Sequence, residues 1–340
     1  MIVFCVPQCT APRGILRTMV RFTVLASGSR GNATVVTGGH TRILVDCGLS
    51  CRELFRRMRL VDEEPETLDA ILITHEHSDH VGGLAVTARK LNIPVYFTEG
   101  THRAWMRWLT PRRQMTYAQW LEQIHRQAAE RQAEADSTAE ESEQDESDLT
   151  LDSSAEAAET ADPGKPAPAK DPTWLPAVEF FTAGEPFEIG DIRVSPFTTP
   201  HDAADPVGFV FGTEGVRMGF VTDLGYISPN VKAQLKDLDL LLLESNHDLE
   251  MLRDGPYPWA VKQRVMSRVG HLSNEAAAGF LEDGYDGQAA YVILAHLSES
   301  NNLPELARVT AERALNGRAS LLVNMLLLAA QNEPLSPIYF

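Results

Sequence analysis

Four side chains that can bind a metal ion crowd into residues 75–80 of this chain. His75, His77, Asp79 and His80 directly follow the apolar run 70–73, in a sequence with only 10 histidines. Three imidazoles and a carboxylate this close together would repel one another or stay unsatisfied unless a cation joined them. Nitrogen and oxygen ligands suit divalent transition metals, and pairs of such metals are typical of hydrolytic sites.

Three further candidates each follow a separate apolar run. His201 comes after residues 194–199, Asp223 after 220–222 and His296 after 291–295. A single histidine of this kind would more often be structural. Side chains at the ends of neighbouring strands meet at one edge of a sheet, so we expect these residues to converge with residues 75–80 on one site.

The order of predicted elements explains this convergence. A first run predicts strands at 21–26, 33–37, 41–45, 69–74 and 94–98, with helices at 50–60, 82–91 and 101–109. A second run predicts strands at 178–181, 187–189, 192–197, 208–212, 217–222, 238–244, 291–295 and 320–329, with helices at 274–281 and 304–315. Two similar halves of this kind predict an α/β (α+β) fold, a four-layer αββα sandwich of two mixed sheets.

Composition divides the chain. Its 340 residues carry a net charge of −17, but residues 122–171 contain 15 acidic and 4 basic side chains and account for most of it. The overall charge therefore excludes no class of substrate. Large hydrophobic residues are scarce between 133 and 170, so we expect 110–176 to be an acidic, disordered insertion. Residues 1–18 are expected to be a loose tail or a mis-annotated start, and 19–109 with 177–340 a single domain.

Cysteine usage and hydropathy indicate a cytoplasmic protein. The cysteines Cys5, Cys9, Cys47 and Cys51 match no common zinc module, which predicts free thiols. No apolar run approaches the roughly 18 residues of a membrane span, so no membrane partner is expected. The apolar stretch at the start is too short for a signal sequence.

The spacing His75-x-His77-x-Asp79-His80, with Asp46 after the apolar run 43–45, resembles the metallo-β-lactamase superfamily. The resemblance implies two metal ions at the edge of the sandwich. It assigns His75, His77 and His201 to one metal, Asp79, His80 and His296 to the other, and Asp223 to both. Asp46 would instead hydrogen-bond the loop that presents the histidines.

This ligand set implies a hydrolase in which Asp79 and Asp223 take part in catalysis by holding the metals. Two cations lower the pKa of a shared water and neutralise charge on a reacting oxygen. Zn²⁺ and Mn²⁺ both suit the ligands, and iron is possible. Flavodiiron oxidoreductases of the superfamily typically carry glutamate where His77 stands, and lactamases typically lack a bridging aspartate such as Asp223. Thioesterases of the glyoxalase II type share the ligands and stay open as an alternative.

Five separated motifs resemble a narrower group, the YycJ/WalJ proteins. They lie at residues 27–32, 199–203, 244–247, 270–274 and 294–302. This resemblance implies 5′-to-3′ exonuclease action with nucleic acid as the partner, DNA in preference to RNA. The acidic insertion and residues 1–18 depart from the group's compact form. The sequence gives no oligomeric state.

The group is in turn similar to ribonuclease Z, which suggests further roles. By that analogy Glu244 orients His271, and His271 is a general acid. The alternative is that His271 only ties its loop to a backbone carbonyl. His247 could contact substrate or be a surface residue, and Ser273 could contact substrate or cap a helix. His40, His102 and His125 lie off the motifs.

Three clusters of basic residues could follow a nucleic-acid backbone, although such clusters are more often solvated helix faces. They are Arg52, Arg56, Arg57 and Arg59; Arg103, Arg107, Arg112 and Arg113; and Lys262, Arg264 and Arg268. Two other functions remain open: a small-molecule hydrolase, such as a thioesterase or cyclic phosphodiesterase, and a non-catalytic signalling accessory.

Overall fold

The computed structural model of the protein describes residues 20–110, 171–317 and 324–340. Every helix and strand named below belongs to one compact unit. The predicted tail 1–18 and nearly all of the predicted insertion 110–176 lie outside the described residues, so the domain boundaries stay predictions. None of the described helices is both long and apolar enough to cross a membrane.

The first sheet has seven strands in the order β14-β1-β2-β3-β4-β5-β6. They are β1 Arg21–Ala26, β2 Ala33–Thr37, β3 Arg42–Val45, β4 Ala70–Leu72, β5 Val95–Phe97, β6 Val178–Phe180 and β14 Ile338–Tyr339. Strands β14 to β3 pair antiparallel, and β3 to β6 pair parallel. The helices of this half are α1 Cys51–Leu60, α2 Ser78–Val81, α3 Leu84–Leu91 and α4 Glu99–Leu109.

The second sheet also has seven strands, in the order β13-β12-β11-β10-β9-β8-β7. They are β7 Phe187–Ile189, β8 Ile192–Thr198, β9 Val207–Thr213, β10 Val216–Val221, β11 Leu240–Glu244, β12 Tyr291–Ala295 and β13 Met325–Leu328. Strands β7 to β10 pair antiparallel, and β10 to β13 pair parallel. Its helices are α5 Pro229–Gln234, α6 Leu249–Asp254, α7 Trp259–Val265, α8 Asn274–Gly279 and α9 Pro304–Asn316.

The side chains of the central strands alternate between two apolar layers. In β11, Leu240 and Leu242 belong to the cluster that both sheets share, while Leu241 and Leu243 pack among residues of the outer helices. Strand β3 does the same in the first sheet, where Ile43 faces the shared cluster and Leu44 packs with α1 and α3. Because successive residues of a strand point to opposite faces, fully apolar strands are what a sheet buried on both sides requires. The predicted four-layer αββα sandwich of two mixed sheets is confirmed.

Five short elements were not predicted, one of them the four-residue α2. Helix α5 has ordinary starting signals, the cap Ser228 and Pro229 in its first turn, but the whole helix has only six residues. Helices α6 and α7 are equally short, and α7 exposes Trp259 and Val261 to solvent, which conceals its periodicity. Strand β14 has two residues and is defined only by its pairing with β1. Elements this short leave too few residues for a pattern to appear.

Several predicted elements are shorter than expected, among them the strand predicted at 69–74, which is Ala70–Leu72. The last strand, predicted at 320–329, is Met325–Leu328, and residues 318–323 lie outside the described part. The helix predicted at 274–281 ends at Gly279 and continues as a wider turn over Phe280–Gly284. Cys47 and Cys51 are free and buried, as predicted, whereas Cys5 and Cys9 lie outside the described residues.

Candidate metal centre

Six strands end at one edge of the sandwich, and a polar side chain stands at or just after each end. Asp46 follows β3, residues 75–80 follow β4, His201 follows β8, Asp223 follows β10 and His296 follows β12. Glu244 is itself the last residue of β11. The strands are apolar and buried, so they hold these polar ends in fixed positions.

Three of these residues have a left-handed backbone. The φ angles are 60° for Asp46, 59° for Asp223 and 56° for His296. Residues with side chains pay a conformational cost there, and such residues cluster at functional sites because the local turn places a side chain where regular backbone cannot. Here each turn occurs just after a strand and directs a ligand-type side chain into the shared site.

The first group of ligand atoms consists of His75, His77 and His201. The distance from His75 Nε2 to His77 Nδ1 is 3.1 Å, and from His201 Nε2 to His77 Nδ1 it is 3.3 Å. A tetrahedral zinc ion with Zn–N bonds of about 2.0–2.1 Å separates its nitrogens by about 3.3–3.4 Å. The spacing therefore fits one metal ion.

Two of the three remaining ring nitrogens of this group are held by neighbouring atoms. His75 Nδ1 lies 3.0 Å from Thr74 Oγ1, and His201 Nδ1 lies 3.1 Å from the carbonyl oxygen of Gly270. Contacts of this kind fix the orientation of a metal-binding imidazole. The Nε2 atoms of His75 and His201 are thus aimed at a common point with His77 Nδ1.

The second group consists of Asp79, His80 and His296. Asp79 Oδ2 lies 3.4 Å from His80 Nε2 and 3.4 Å from His296 Nε2. The remote nitrogens again have partners: His80 Nδ1 is 2.8 Å from Asp46 Oδ2, and His296 Nδ1 is 3.1 Å from Glu244 Oε1. Two carboxylates therefore orient the two imidazoles from behind.

Asp223 lies between the two groups. Its Oδ2 is 3.4 Å from His80 Nε2, and its Oδ1 is 4.0 Å from His201 Nε2. The side chain is buried, and Oδ2 has no hydrogen-bond partner among the described residues. A buried carboxylate oxygen without a partner is costly, and a cation on each side removes that cost. The residues present therefore fit a pair of divalent metals.

Charges in the site respond to burial and to each other. Burial lowers the pKa of His75 well below its usual value, and the pKa of His77 is also lowered. Burial also acts to lower the pKa of His80, but the nearby carboxylates of Asp46, Asp79 and Asp223 outweigh it and raise that pKa well above the usual value. A proton on such a ring must leave when a metal binds, so metal binding is coupled to proton release.

Asp46 joins the first sheet to residues 75–80, the ligand loop. One of its carboxylate oxygens accepts a hydrogen bond of 2.9 Å from the backbone N–H of Thr74, and the Thr74 hydroxyl lies 2.9 Å from the other. Asp46 also holds His80 and is fully buried. It touches the residue before the first histidine and the last histidine of the loop, and so supports that loop from both sides.

The sequence interpretation assigned no role to several supporting residues. Asn32 Nδ2 donates to Asp79 Oδ2 at 3.2 Å, and the Ser27 hydroxyl accepts from the backbone N–H of His296 at 2.8 Å. Thr74 connects Asp46 with His75, and Asn246 Nδ2 donates to the carbonyl oxygen of His296 at 2.8 Å. Their positions inside or beside the quoted motifs were the available signal, but only the fold shows which atoms they touch.

Glu244 holds His271 as well as His296. Glu244 Oε1 is 2.8 Å from His271 Nδ1, and Oε2 accepts from the backbone N–H groups of Leu224 and Leu272 at 2.9 and 3.2 Å. Burial acts to lower the pKa of His271, but the charge of Glu244 outweighs it and raises that pKa. The described contacts of His271 Nδ1 are with carboxylates, Glu244 and, at 3.6 Å, Asp223, rather than with a backbone carbonyl.

The two residues suggested as substrate contacts lie behind the wall of the site. His247 is 1% exposed, and burial lowers its pKa to about 4. The Ser273 hydroxyl accepts from the backbone N–H of Ala276 and caps α8. Neither side chain lines the cavity over the metal groups, so we expect both to shape the loops rather than to touch substrate.

A cavity of about 330 Å³ opens over the two ligand groups. Its lining consists of Ser29, His77, Ser78, Asp79, Asp223, Asn246, Tyr257, Arg264, Val265, His271, His296, Ser298 and Asn301. Ligand atoms form its floor, and residues of α7 and of the segment before it form one wall. Side chains of both ligand groups and His271 therefore face the same cavity.

Most of the predicted basic clusters do not reach this cavity. In α1, Arg57 is buried and donates to the carbonyl oxygens of Leu25 and Gln331, and Arg56 pairs with Glu53. Arg103 pairs with Glu99, while Arg112 and Arg113 lie outside the described residues. Of the basic residues in these clusters that the structure describes, only Arg264 lines the cavity.

Of the three histidines set aside, His40 and His102 are described, and neither lines the cavity. His102 packs against Phe97 and Phe180 instead. His125 lies outside the described residues.

Comparison with known proteins agrees with this geometry. Residues 26–261 match the Lactamase_B family, the metallo-beta-lactamase superfamily. The chain is 33% identical over 296 residues to exodeoxyribonuclease YycJ of Bacillus anthracis, covering 87% of this chain and 89% of that protein. It is 31% identical over 290 residues to exodeoxyribonuclease WalJ of Streptococcus pneumoniae, covering 85% and 86%.

A solved structure shows the same fold. The metallo-beta-lactamase fold protein YhfI from Bacillus subtilis superposes with a TM-score of 0.55 at 15% identity. The match covers 93% of this chain and 99% of that protein. At this identity the likeness concerns the fold alone.

Proposed function

The chain belongs to the metallo-β-lactamase superfamily, and from this premise we propose that it is a dinuclear-metal hydrolase that removes nucleotides from DNA as a 5′-to-3′ exonuclease in the cytoplasm. The observation that carries the proposal is the pair of ligand groups that meet at buried Asp223, whose Oδ2 has no hydrogen-bond partner among the described residues. The exodeoxyribonuclease relatives, which match most of the chain, supply the substrate class.

The proposal assigns each ligand a place. One ion would be held by His75, His77 and His201, the other by Asp79, His80 and His296, with Asp223 touching both. When bound, two divalent ions lower the pKa of a water molecule and offset charge on a phosphoryl oxygen. Zn²⁺ and Mn²⁺ both suit this set of imidazoles and carboxylates. Because the ligands contribute only two negative charges, the site keeps about two positive charges for an anionic substrate.

His271 is proposed to donate the proton that the leaving oxygen needs. Its Nδ1 is occupied by Glu244, so Nε2 is the nitrogen available to the cavity that the ring lines. The neighbouring carboxylate raises the pKa of the ring, which favours the protonated form that a general acid needs. Glu244 sets the tautomer and the direction of the ring, while Asp46 keeps the ligand loop in place.

The size of the cavity also favours a second candidate, a small-molecule hydrolase such as a glyoxalase II-type thioesterase or a cyclic phosphodiesterase. A volume of about 330 Å³ is at the lower end of the range of roughly 300–1,000 Å³ for small-ligand sites. The ligand groups would serve either chemistry. The two candidates differ in what the cavity must admit: the end of a DNA strand for the exonuclease, a small molecule for the second candidate.

The test compares substrates on purified protein loaded with Mn²⁺ or Zn²⁺. We expect release of mononucleotides from 5′-phosphorylated DNA, slower release from RNA of the same sequence, no turnover of a glutathione thioester, and two metal ions per chain by elemental analysis. Thioester turnover without nucleotide release would favour the second candidate. Turnover of neither substrate by fully loaded protein would contradict both.

The role of His271 has its own test. His271→Ala is expected to lower kcat on DNA by roughly 10²- to 10⁴-fold, the usual contribution of a general acid. A p-nitrophenyl phosphodiester has a leaving group that needs no proton, so the same variant should lose far less activity on it. Equal losses on both substrates would contradict proton donation by His271.

A further inference from the structure

The segment 248–270 forms one wall of the cavity, and backbone hydrogen bonds hold it at both ends. At its start, the backbone N–H of Asp248 donates to the carbonyl oxygen of Asn301 at 2.9 Å. At its end, the carbonyl oxygen of Gly270 lies 3.1 Å from His201 Nδ1, and Val269 accepts from the backbone N–H of Asp202 at 2.9 Å. The wall therefore has a defined position relative to the ligand His201.

Inside the segment, Lys262 braces the two helices. It is buried, and its Nζ donates to the carbonyl oxygen of Arg253 at 2.7 Å. This contact ties α7 to the end of α6. The side chains that α7 presents to the cavity are thus held by a rigid support rather than by a free loop.

Arg264 places a cation at the mouth of the cavity. Its Nε donates to Asp202 Oδ2, and the other oxygen of that carboxylate lies 3.5 Å from His201 Nε2. The carboxylate of Asp202 therefore lies between the guanidinium group and His201 Nε2, a proposed metal ligand. The side chain is 60% exposed, and among the described residues only its Nε has a hydrogen-bond partner, so the remaining N–H groups can bind an incoming anion. A guanidinium binds a phosphate group through two parallel hydrogen bonds.

Tyr257 adds an aromatic ring to the same wall. It is half-buried and lines the cavity together with Val265. A nucleobase stacks on such a ring regardless of its sequence, because every base has a π face. Asn301, also in the lining, is 1% exposed, and its Oδ1 has no hydrogen-bond partner among the described residues. An aromatic face, an arginine and a buried acceptor are a combination suited to a nucleotide.

The cavity has room for one nucleotide rather than for several. Its volume of about 330 Å³ is that of a site for a single small ligand. We therefore expect the terminal nucleotide of a strand to enter it, next to the ligand groups.

We propose that Tyr257 and Arg264 receive the terminal nucleotide of the DNA strand that is cleaved, the ring by stacking on the base and the guanidinium by binding a backbone phosphate. This inference rests on the proposed nuclease function and adds two residues that position its substrate. The segment 248–270 then holds the end of the strand, while the ligand groups act on the bond.

The test uses 3′-labelled DNA and four variants of the full-length, metal-loaded protein. Tyr257→Ala and Arg264→Ala are each expected to raise KM for single-stranded DNA by roughly 10-fold. Arg268→Ala and Trp259→Ala are the matched controls. Arg268 stacks on Tyr226, Trp259 is 62% exposed, and neither lines the cavity. Both controls should stay within about 2-fold of the unchanged protein.

Further variants and measurements separate a loss of stacking from a loss of folding. Tyr257→Phe keeps the ring and should restore KM, whereas Tyr257→Leu should not. Each variant is also assayed on bis(p-nitrophenyl) phosphate, and the loss on DNA should exceed the loss on this small diester at least about 5-fold. Circular dichroism melts check that the variants fold.

The outcomes distinguish the two proposals. If the protein cleaves DNA but Tyr257→Ala and Arg264→Ala leave KM unchanged, or lose no more than the two controls, the inference fails and the nuclease function stands. If the protein releases no nucleotide from any DNA, both proposals fall.

Discussion

At the scale of residues, the site contains four imidazoles in which the two ring nitrogens make different contacts. In His75, His80, His201 and His296 one ring nitrogen faces the common point and the other is held by a hydroxyl, a carboxylate or a carbonyl oxygen. The hydroxyl, carboxylate or carbonyl group fixes the tautomer of the ring. The nitrogen that faces the common point then either carries no proton or loses its proton to solvent when a cation binds. Asp46 and Glu244 each perform this task from a fully buried position.

We expect Asp46→Asn to weaken metal binding without unfolding the protein. The amide keeps an oxygen for the backbone N–H of Thr74 but loses the charge that holds His80 Nδ1. Loss of such a supporting contact typically costs about 10- to 100-fold in metal affinity. Competition with a chromophoric chelator measures the affinity, and a thermal melt measures folding.

The control for this variant is Glu66→Gln, which removes an exposed carboxylate whose partner is Arg59. It should bind metal as the unchanged protein does. If Asp46→Asn bound metal equally well, Asp46 would have no part in positioning His80.

At the scale of elements, the ligand loop packs very closely against the turn after β3. The contact leaves no room for a Cβ atom at the two glycines that form it. A Cβ atom added to Gly48 would lie 1.7 Å from the carbonyl oxygen of Asp79, and one added to Gly83 would lie 1.9 Å from that of Leu49. Backbone hydrogen bonds close the same contact, from Asn32 to Asp79 at 2.7 Å and from Cys47 to His80 at 2.7 Å. The two ligands of α2 are therefore positioned by backbone contacts as well as by side chains.

We expect Gly48→Ala to destabilise the protein by about 2–4 kcal/mol, because the added methyl group meets backbone that cannot move without displacing Asp79. Urea unfolding followed by circular dichroism measures the change, and metal content should fall with it. Gly279→Ala is the matched control. Gly279 lies in α8 with no atom within 4 Å of the added Cβ, so the substitution should be neutral or stabilise by up to about 1 kcal/mol. Equal effects of the two substitutions would contradict the close contact at Gly48.

At the scale of the molecule, the two sheets bring ligands from both halves of the sequence to one edge. The shared cluster between the sheets contains residues of both, such as Val45 and Leu242. Three of the expected ligands, His201, Asp223 and His296, come from the second half, and the four of residues 75–80 come from the first. An ion held by both halves binds the folded chain and not the unfolded one, so metal and fold must stabilise each other.

We therefore expect metal to raise the melting temperature of chelator-treated protein. At a free metal concentration 100-fold above Kd the gain is about 2.7 kcal/mol, which corresponds to a rise of roughly 5–10 °C for a domain of this size. Scanning calorimetry with and without Zn²⁺ or Mn²⁺ measures it. Asp223→Ala lacks the carboxylate shared by both groups and should show a much smaller rise. An unchanged melting temperature at saturating metal would contradict a site built from both halves.

The predicted insertion is tested at the same scale. Because residues 133–170 contain few large hydrophobic side chains, we expect that replacing 111–170 with a short Gly/Ser linker leaves both the melting temperature and the activity unchanged. The full-length chain is the control. A lower melting temperature or a loss of metal in the shortened chain would show that this region contributes to the domain.

The sequence by itself determined the layers of the fold and the types of side chain in the site. Fully apolar runs such as residues 240–243 can only be buried on both faces, and crowded imidazoles such as His75 and His77 need a cation. Both conclusions follow from local chemistry, which a linear pattern records.

Only the tertiary structure decided which atoms meet. The pairing of Glu244 with both His271 and His296, the burial of His247, and the position of Arg264 beside Asp202 depend on loops from distant parts of the chain. Arg264 and Arg268 lie four residues apart in one basic cluster, yet only Arg264 lines the cavity. Contacts between distant segments arise from packing, and the order of residues along the chain does not record them.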